Sequence, residues 1–103
     1  MTKISLIAKL TAADGKVDEL LASLDGLVAA AEEEPGLEVY SAHQDAKNPD
    51  VIYFFEVYTD QAALEVHGKG PAMKAAMATL GACLGGRPEI TMLNPVGAKG
   101  LEL

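Results

Sequence analysis

The period of hydrophobic and polar positions changes several times along the chain, and each change marks an element. From Ile4 to Leu10 the pattern alternates, with Ile4, Leu6, Ala8 and Leu10 on one face, as a half-buried strand requires. After Gly15 the period becomes helical. Val17, Leu20, Leu21, Leu24, Leu27 and Val28 recur at steps of three and four and form one apolar stripe. Asp18 and Glu19 fall in the first turn of this helix, where carboxylates suit the positive end of the dipole. Pro35 disfavours helical backbone in the residue before it, so the helix is expected to end near Glu34. Pro35-Gly36 then predicts a type II turn. Leu37 to Gln44 and Val51 to Tyr58 read as two strands of a hairpin, joined through the turn formers Lys47-Asn48-Pro49-Asp50. Thr59 or Asp60 can cap a short helix running to about His67. Gly70-Pro71 opens another helix, whose stripe is Met73, Ala76, Met77 and Leu80. Glu89 to Leu93 reads as the last strand, and the tail from Asn94 as an irregular arm.

The order is strand, helix, strand, strand, helix, strand, with the second helix broken at Gly68 to Gly70. This is the split βαβ plan. It predicts an α+β, ferredoxin-like fold with a four-stranded antiparallel sheet and helices on one face. The strand over 51–58 departs from the alternation such a sheet needs. Val51, Tyr53, Phe55 and Val57 lie on one side of it, and Ile52, Phe54, Glu56 and Tyr58 on the other. A sheet with helices on one face and water on the other should be polar on its outer side. No other segment of the chain is free to cover that side. A homodimer packed sheet against sheet is therefore expected, the alternative being an adhesive monomer with its central strand buried at the edges.

Composition agrees with this reading. The chain has 103 residues, which fits one domain over 1–103, and 50% of them are apolar, which excludes a disordered chain. That is more apolar content than so small a domain ordinarily hides, and half of an interface would account for the excess. A net charge of -7 argues against nucleic-acid or anionic-membrane partners. Lys9 interrupts the N-terminal apolar run before it reaches the length of a leader or a membrane span. The single cysteine, Cys83, can form no internal disulfide. A cytoplasmic setting is expected.

Most catalytic signatures are missing from the sequence. His43 and His67 are the only histidines, and with Cys83 they show no metal-ligand spacing. No nucleophile elbow, phosphate loop or dinucleotide fingerprint is present. What remains is a group of polar residues in apolar surroundings: Tyr40, Glu56, Tyr58 and His67. Glu56 is the one carboxylate in an apolar strand, and a buried carboxylate must be paired or have a raised pKa. It either serves a site or accepts hydrogen bonds from neighbouring strands or a partner chain. Tyr40 and Tyr58 read either as packing residues with satisfied hydroxyls or as members of a site. His67 stands where the helix breaks, either as a proton-transferring group or as a side chain satisfying a terminal carbonyl. His43 reads as a surface strand residue, and Glu32-Glu33-Glu34 as a solvated helix end.

Three runs together carry a family resemblance. Glu34-Pro35-Gly36-Leu37-Glu38-Val39-Tyr40, Glu56-Val57-Tyr58-Thr59-Asp60 and Ala63-Leu64-Glu65-Val66-His67 follow E-P-G-x-x-x-Y, E-x-[WY]-x-[DS] and A-x-x-x-H in order. The chain thus resembles the antibiotic biosynthesis monooxygenase domain, which includes quinol monooxygenase-like proteins. The resemblance implies a dimeric α+β barrel. It also implies oxidation of a small aromatic quinol or phenol by dioxygen without metal, flavin or other cofactor. His67 would then be the catalytic proton acceptor, with Tyr40, Phe54, Glu56, Tyr58, Met73 and Met77 contacting substrate. Tyr58 stands where relatives often carry tryptophan, and the chain has none, which disfavours a haem-degrading branch. Ala72-Met73 replaces the phenylalanine that often follows the helix proline. A non-catalytic dimer that binds a small apolar ligand, or acts as a regulatory module, is the rival expectation.

Overall fold

The computed structural model describes residues 2–103. Seven elements follow in the order β1 (Ile4–Thr11), α1 (Val17–Ala31), β2 (Leu37–Gln44), β3 (Val51–Tyr58), α2 (Gln61–Val66), α3 (Pro71–Gly81) and β4 (Glu89–Leu93). The strands form one antiparallel sheet in the order β2-β3-β1-β4. This is the expected ferredoxin-like α+β arrangement. The long central strands are β3 and β1, and the helices pack on one side of them.

That side carries the core. Leu6, Ala8 and Leu10 of β1 and Ile52, Phe54 and Tyr58 of β3 meet Leu20, Leu27, Met73 and Leu80 of the helices. Leu20 and Leu27 are fully buried, whereas Leu21 and Val28 are exposed. The α1 stripe is thus narrower than its sequence suggests. Residues 21 and 28 follow 20 and 27 by one helical step of about 100°, enough to rotate them off the sheet.

α1 stops at Ala31 rather than near Glu34. The N–H groups of Glu32, Glu33 and Glu34 donate to Ala29, Ala30 and Ala31 at 3.3, 3.1 and 3.0 Å, a three-residue spacing that tightens the end of the helix. The following turn closes through Leu37 N–H to the Glu34 carbonyl at 3.0 Å. Gly36 does not have the positive φ that a type II turn demands, so that expectation fails. Glycine is needed here for space instead: a Cβ on Gly36 would run into the Ala63 Cβ of α2. The turn and α2 are therefore in close contact.

The β2–β3 hairpin is closed by its own side chains. The Asp45 carboxylate accepts from Lys47 and Asn48 N–H at 2.8 and 3.0 Å, and these bonds hold its pKa below the usual range. α2 begins at Asp60, whose carboxylate accepts from Ala63 N–H at 2.9 Å, a standard N-cap. Pro71 occupies the first turn of α3, as expected. Among the described residues no helix is long and apolar enough to cross a membrane.

The outer side of the sheet carries Ile7, Val39, Phe55, Val57 and Leu93, as the pairing register requires. Part of this row is already enclosed within the one chain: Val57 is fully buried, and Ser5 is 4% exposed. Phe55 and Leu93 remain 36% exposed.

Candidate functional site

The sheet register builds the floor of a cavity. Tyr40 of β2, Glu56 of β3 and Leu6 of β1 lie side by side in one row. Two residues further along, Phe54, Ala8 and Ile90 of β4 form the next row, and Leu10 belongs to a third. Strand alternation puts all of them on the helix side. Above them stand Leu27 of α1, His67 after α2, and Met77 and Leu80 of α3, with Leu84 and Pro88 beyond. The cavity volume is about 350 Å³, within the range of small-molecule sites. Its walls are apolar apart from Tyr40, Glu56 and His67, which gather at the end nearest the break between α2 and α3.

That break places His67. Its backbone leaves the helix as the C-cap of α2, and its N–H donates to the Leu64 carbonyl at 3.2 Å. Gly68 follows with φ +81°, the left-handed conformation that glycine adopts most cheaply. A Cβ on Gly68 would stand 3.4 Å from the Met77 sulfur and methyl, so α3 packs directly beneath the corner. A carboxylate stands on either side of the imidazole. Nδ1 lies 2.8 Å from Glu34 Oε1, and Nε2 lies 3.7 Å from Glu56 Oε1. The first separation is a hydrogen bond. The second is too long for one and becomes an ion pair when the ring is charged.

Glu56 is anchored by the Tyr58 hydroxyl, which donates to Oε1 at 2.5 Å. Burial pushes its carboxyl above the usual range, against the lowering effects of the Tyr58 hydrogen bond and His67. Burial likewise pushes the Tyr40 and Tyr58 hydroxyls up, and the Glu56 carboxylate adds to both shifts. Both tyrosines therefore stay protonated, and Tyr58 donates to Glu56. The rings pack around the histidine. Tyr58 meets it edge-on with centroids 5.4 Å apart, Tyr40 lies 5.8 Å away, and Tyr40 stacks on Phe54 at 4.8 Å.

The expected site residues do not all reach the cavity. His67, Tyr40, Glu56, Phe54 and Met77 line it. Met73 and Tyr58 do not. Met73 is 2% exposed and belongs to the core between α3 and the sheet, while Tyr58 is fully buried behind Glu56. The difference is geometric: Met73 lies one helical turn before Met77, whose sulfur and methyl pack at the Gly68 corner and which lines the cavity together with Leu80. Glu34, expected at a solvated helix end, is only 14% exposed in its side chain and bonds the histidine. Its place in the E-P-G run is the signal that could have singled it out. His43 is exposed on the outer face, its Nε2 2.9 Å from Ser41 Oγ, as a surface residue should be.

Comparison with known proteins gives a consistent result. Residues 3–79 match the family described as antibiotic biosynthesis monooxygenase. A search of the curated proteins found no match. Among solved structures, a candidate antibiotic biosynthesis monooxygenase from Caulobacter crescentus CB15 is 30% identical, with a TM-score of 0.85 over 93% of this chain and 92% of that one. Another from Chloroflexus aurantiacus J-10-fl is 30% identical, with a TM-score of 0.84 over 98% and 100% of the two chains. A protein of unknown function from Nitrosomonas europaea is 26% identical, with a TM-score of 0.83 over 99% and 97%.

Proposed function

The chain belongs to the antibiotic biosynthesis monooxygenase family, and from that premise we propose that it oxidises a small aromatic hydroquinone or phenol with dioxygen. One observation carries the reading. Three groups able to move or hold a proton, His67, Glu56 and Tyr40, converge at one end of an otherwise apolar cavity. An aromatic ring fits the apolar floor of Leu6, Ala8 and Phe54, and its hydroxyl would meet the polar end. His67 accepts the hydroxyl proton through Nε2. Tyr40 donates a hydrogen bond to the oxyanion that forms, and Glu56 helps to hold the imidazole once it is charged. The electron-rich anion then reduces dioxygen. For a hydroquinone, one oxygen atom enters the ring, the other leaves as water, and the substrate supplies all the electrons. The product is a hydroxyquinone. The apolar walls shield the intermediate from water. The reaction is proposed to need no resident metal or flavin, as the family resemblance implies, and to take place in the cytoplasm.

The working unit is proposed to be a homodimer joined through the outer faces of the sheets, where Ile7 and Phe55 in one register row and Val39 and Leu93 in the next contribute apolar side chains.

Oxygen uptake with a panel of hydroquinones and phenols tests the activity. Wild type is expected to accelerate uptake with at least one of them, and His67→Ala to lose roughly 100-fold or more, as the removal of a positioned base does. Equal rates in the two proteins would take His67 out of the mechanism. No protein-dependent uptake on any substrate would leave a ligand-binding module as the better account.

A further inference from the structure

We infer that Glu34 is a positioning residue for His67, holding the imidazole with its proton on Nδ1 so that the lone pair of Nε2 faces the cavity. The inference rests on the reading of His67 as the proton acceptor, since only that role gives the choice of nitrogen a consequence. A neutral histidine carries one ring proton, and the hydrogen bond made by one nitrogen decides which one holds it. Glu34 Oε1 stands 2.8 Å from Nδ1, whereas among the described residues Nε2 has no partner within hydrogen-bond distance, Glu56 Oε1 being 3.7 Å away. The proton therefore stays on Nδ1 and is donated to the carboxylate, and the nitrogen turned toward the substrate end is the basic one.

Folding alone does not explain a glutamate at this place. Glu34 follows the C-terminus of α1, where the helix dipole disfavours a negative charge. Its second oxygen, Oε2, is the one buried side-chain polar atom without a hydrogen-bond partner among the described residues, an arrangement that costs stability. Such costs are retained where a site requires the group. The backbone holds it firmly. Glu34 N–H and C=O bond Ala31 and Leu37 at 3.0 Å each, Pro35 fixes the next φ, and Gly36 lets the turn close against α2, the helix that ends in His67.

The proton position can be read without turnover. In 15N-labelled protein, at a pH where the imidazoles are neutral, long-range proton–nitrogen correlations separate a protonated ring nitrogen from a bare one. His43, exposed and far from Glu34, is the internal reference. Wild-type His67 is expected to show a protonated Nδ1 and a bare Nε2. Glu34→Gln should keep that pattern, because the amide oxygen accepts the same hydrogen. Glu34→Leu should lose it. A wild-type His67 protonated on Nε2 would overturn the inference, and so would an unchanged pattern in Glu34→Leu. If Glu34→Leu does not fold, the wild-type pattern and its retention in Glu34→Gln still decide. Where uptake activity is found, Glu34→Leu should lower kcat by about 100-fold, the lower end of what a positioned base contributes, and leave KM nearly unchanged. The spectra stand whether or not the protein oxidises hydroquinones, so the two readings fail separately.

Discussion

Glu56 couples the chemistry of the site to the stability of the fold. Burial disfavours its charged form, and Glu34 acts in the same direction; the Tyr58 hydroxyl and His67 oppose them without reversing the result. Its folded-state pKa lies above the ordinary 4.5, so the folded protein binds this proton more tightly than the unfolded chain does. The stabilising contribution is therefore complete below 4.5 and is lost as the pH rises through the folded value. Glutamine keeps an oxygen for Tyr58 and does not ionise. The difference in thermal midpoint between Glu56→Gln and wild type should move in the variant's favour as the pH climbs above 4.5. Taking the difference cancels Glu38 and Asp45, whose lowered values make the fold more stable on the alkaline side. A difference that stays flat with pH would mean that this carboxyl has the same pKa folded and unfolded, against the upward shift that burial gives it.

Among the elements, α2 is the least secured and the most consequential. It has six residues and none of them is fully buried, so its position rests on the Asp60 cap, on contact with the Pro35-Gly36 turn and on the partial packing of Ala63 and Leu64 against the core. Gly36→Ala would drive a methyl group into Ala63 and push α2, with His67 behind it, away from Glu34. The expected loss of stability is about 1–3 kcal/mol, typical of overpacking, measured by denaturant unfolding. Ala63→Gly in the same chain should restore part of it, because it removes the colliding atom; no recovery in the double variant would place the strain elsewhere. The same contact shows where sequence reading stops. Strand and helix periods were legible, since β2, β3 and β4 follow the expected boundaries. The identity of the useful glutamate was not. Glu32, Glu33 and Glu34 are equivalent in composition, and only a turn closed without left-handed glycine, docked on a helix distant in sequence, aims one of them at His67. Likewise Met73 and Met77 differ by one helical turn, and the depth of α3 against the sheet decides which one reaches the cavity.

At the scale of the whole molecule, the excess of apolar residues is only partly absorbed by a single chain. The helix side of the sheet takes most of it, and Val57 shows that the outer side buries some as well. Apolar side chains stay exposed elsewhere too, Ile90, Met92 and Val66 among them, but on the outer side what remains is Phe55, flanked by Ile7 and Ser41 on the neighbouring strands, with Leu93 of the edge strand in the next row. A second copy related by a two-fold axis would set Phe55 and its neighbours against the same row of the partner, an isologous contact. Such a contact needs each face to be apolar at its centre, because an unpaired charge there would be stripped of water with nothing to compensate it. Sedimentation equilibrium of wild type at micromolar concentration is expected to give the mass of two chains, and Phe55→Glu to give the mass of one. Phe55 points away from the cavity, so the variant should keep the helix-side core and a cooperative unfolding transition. A wild-type monomer would refute the dimer outright. A Phe55→Glu protein that remained dimeric would move the interface off this face and leave the apolar outer row to be explained by the chain alone.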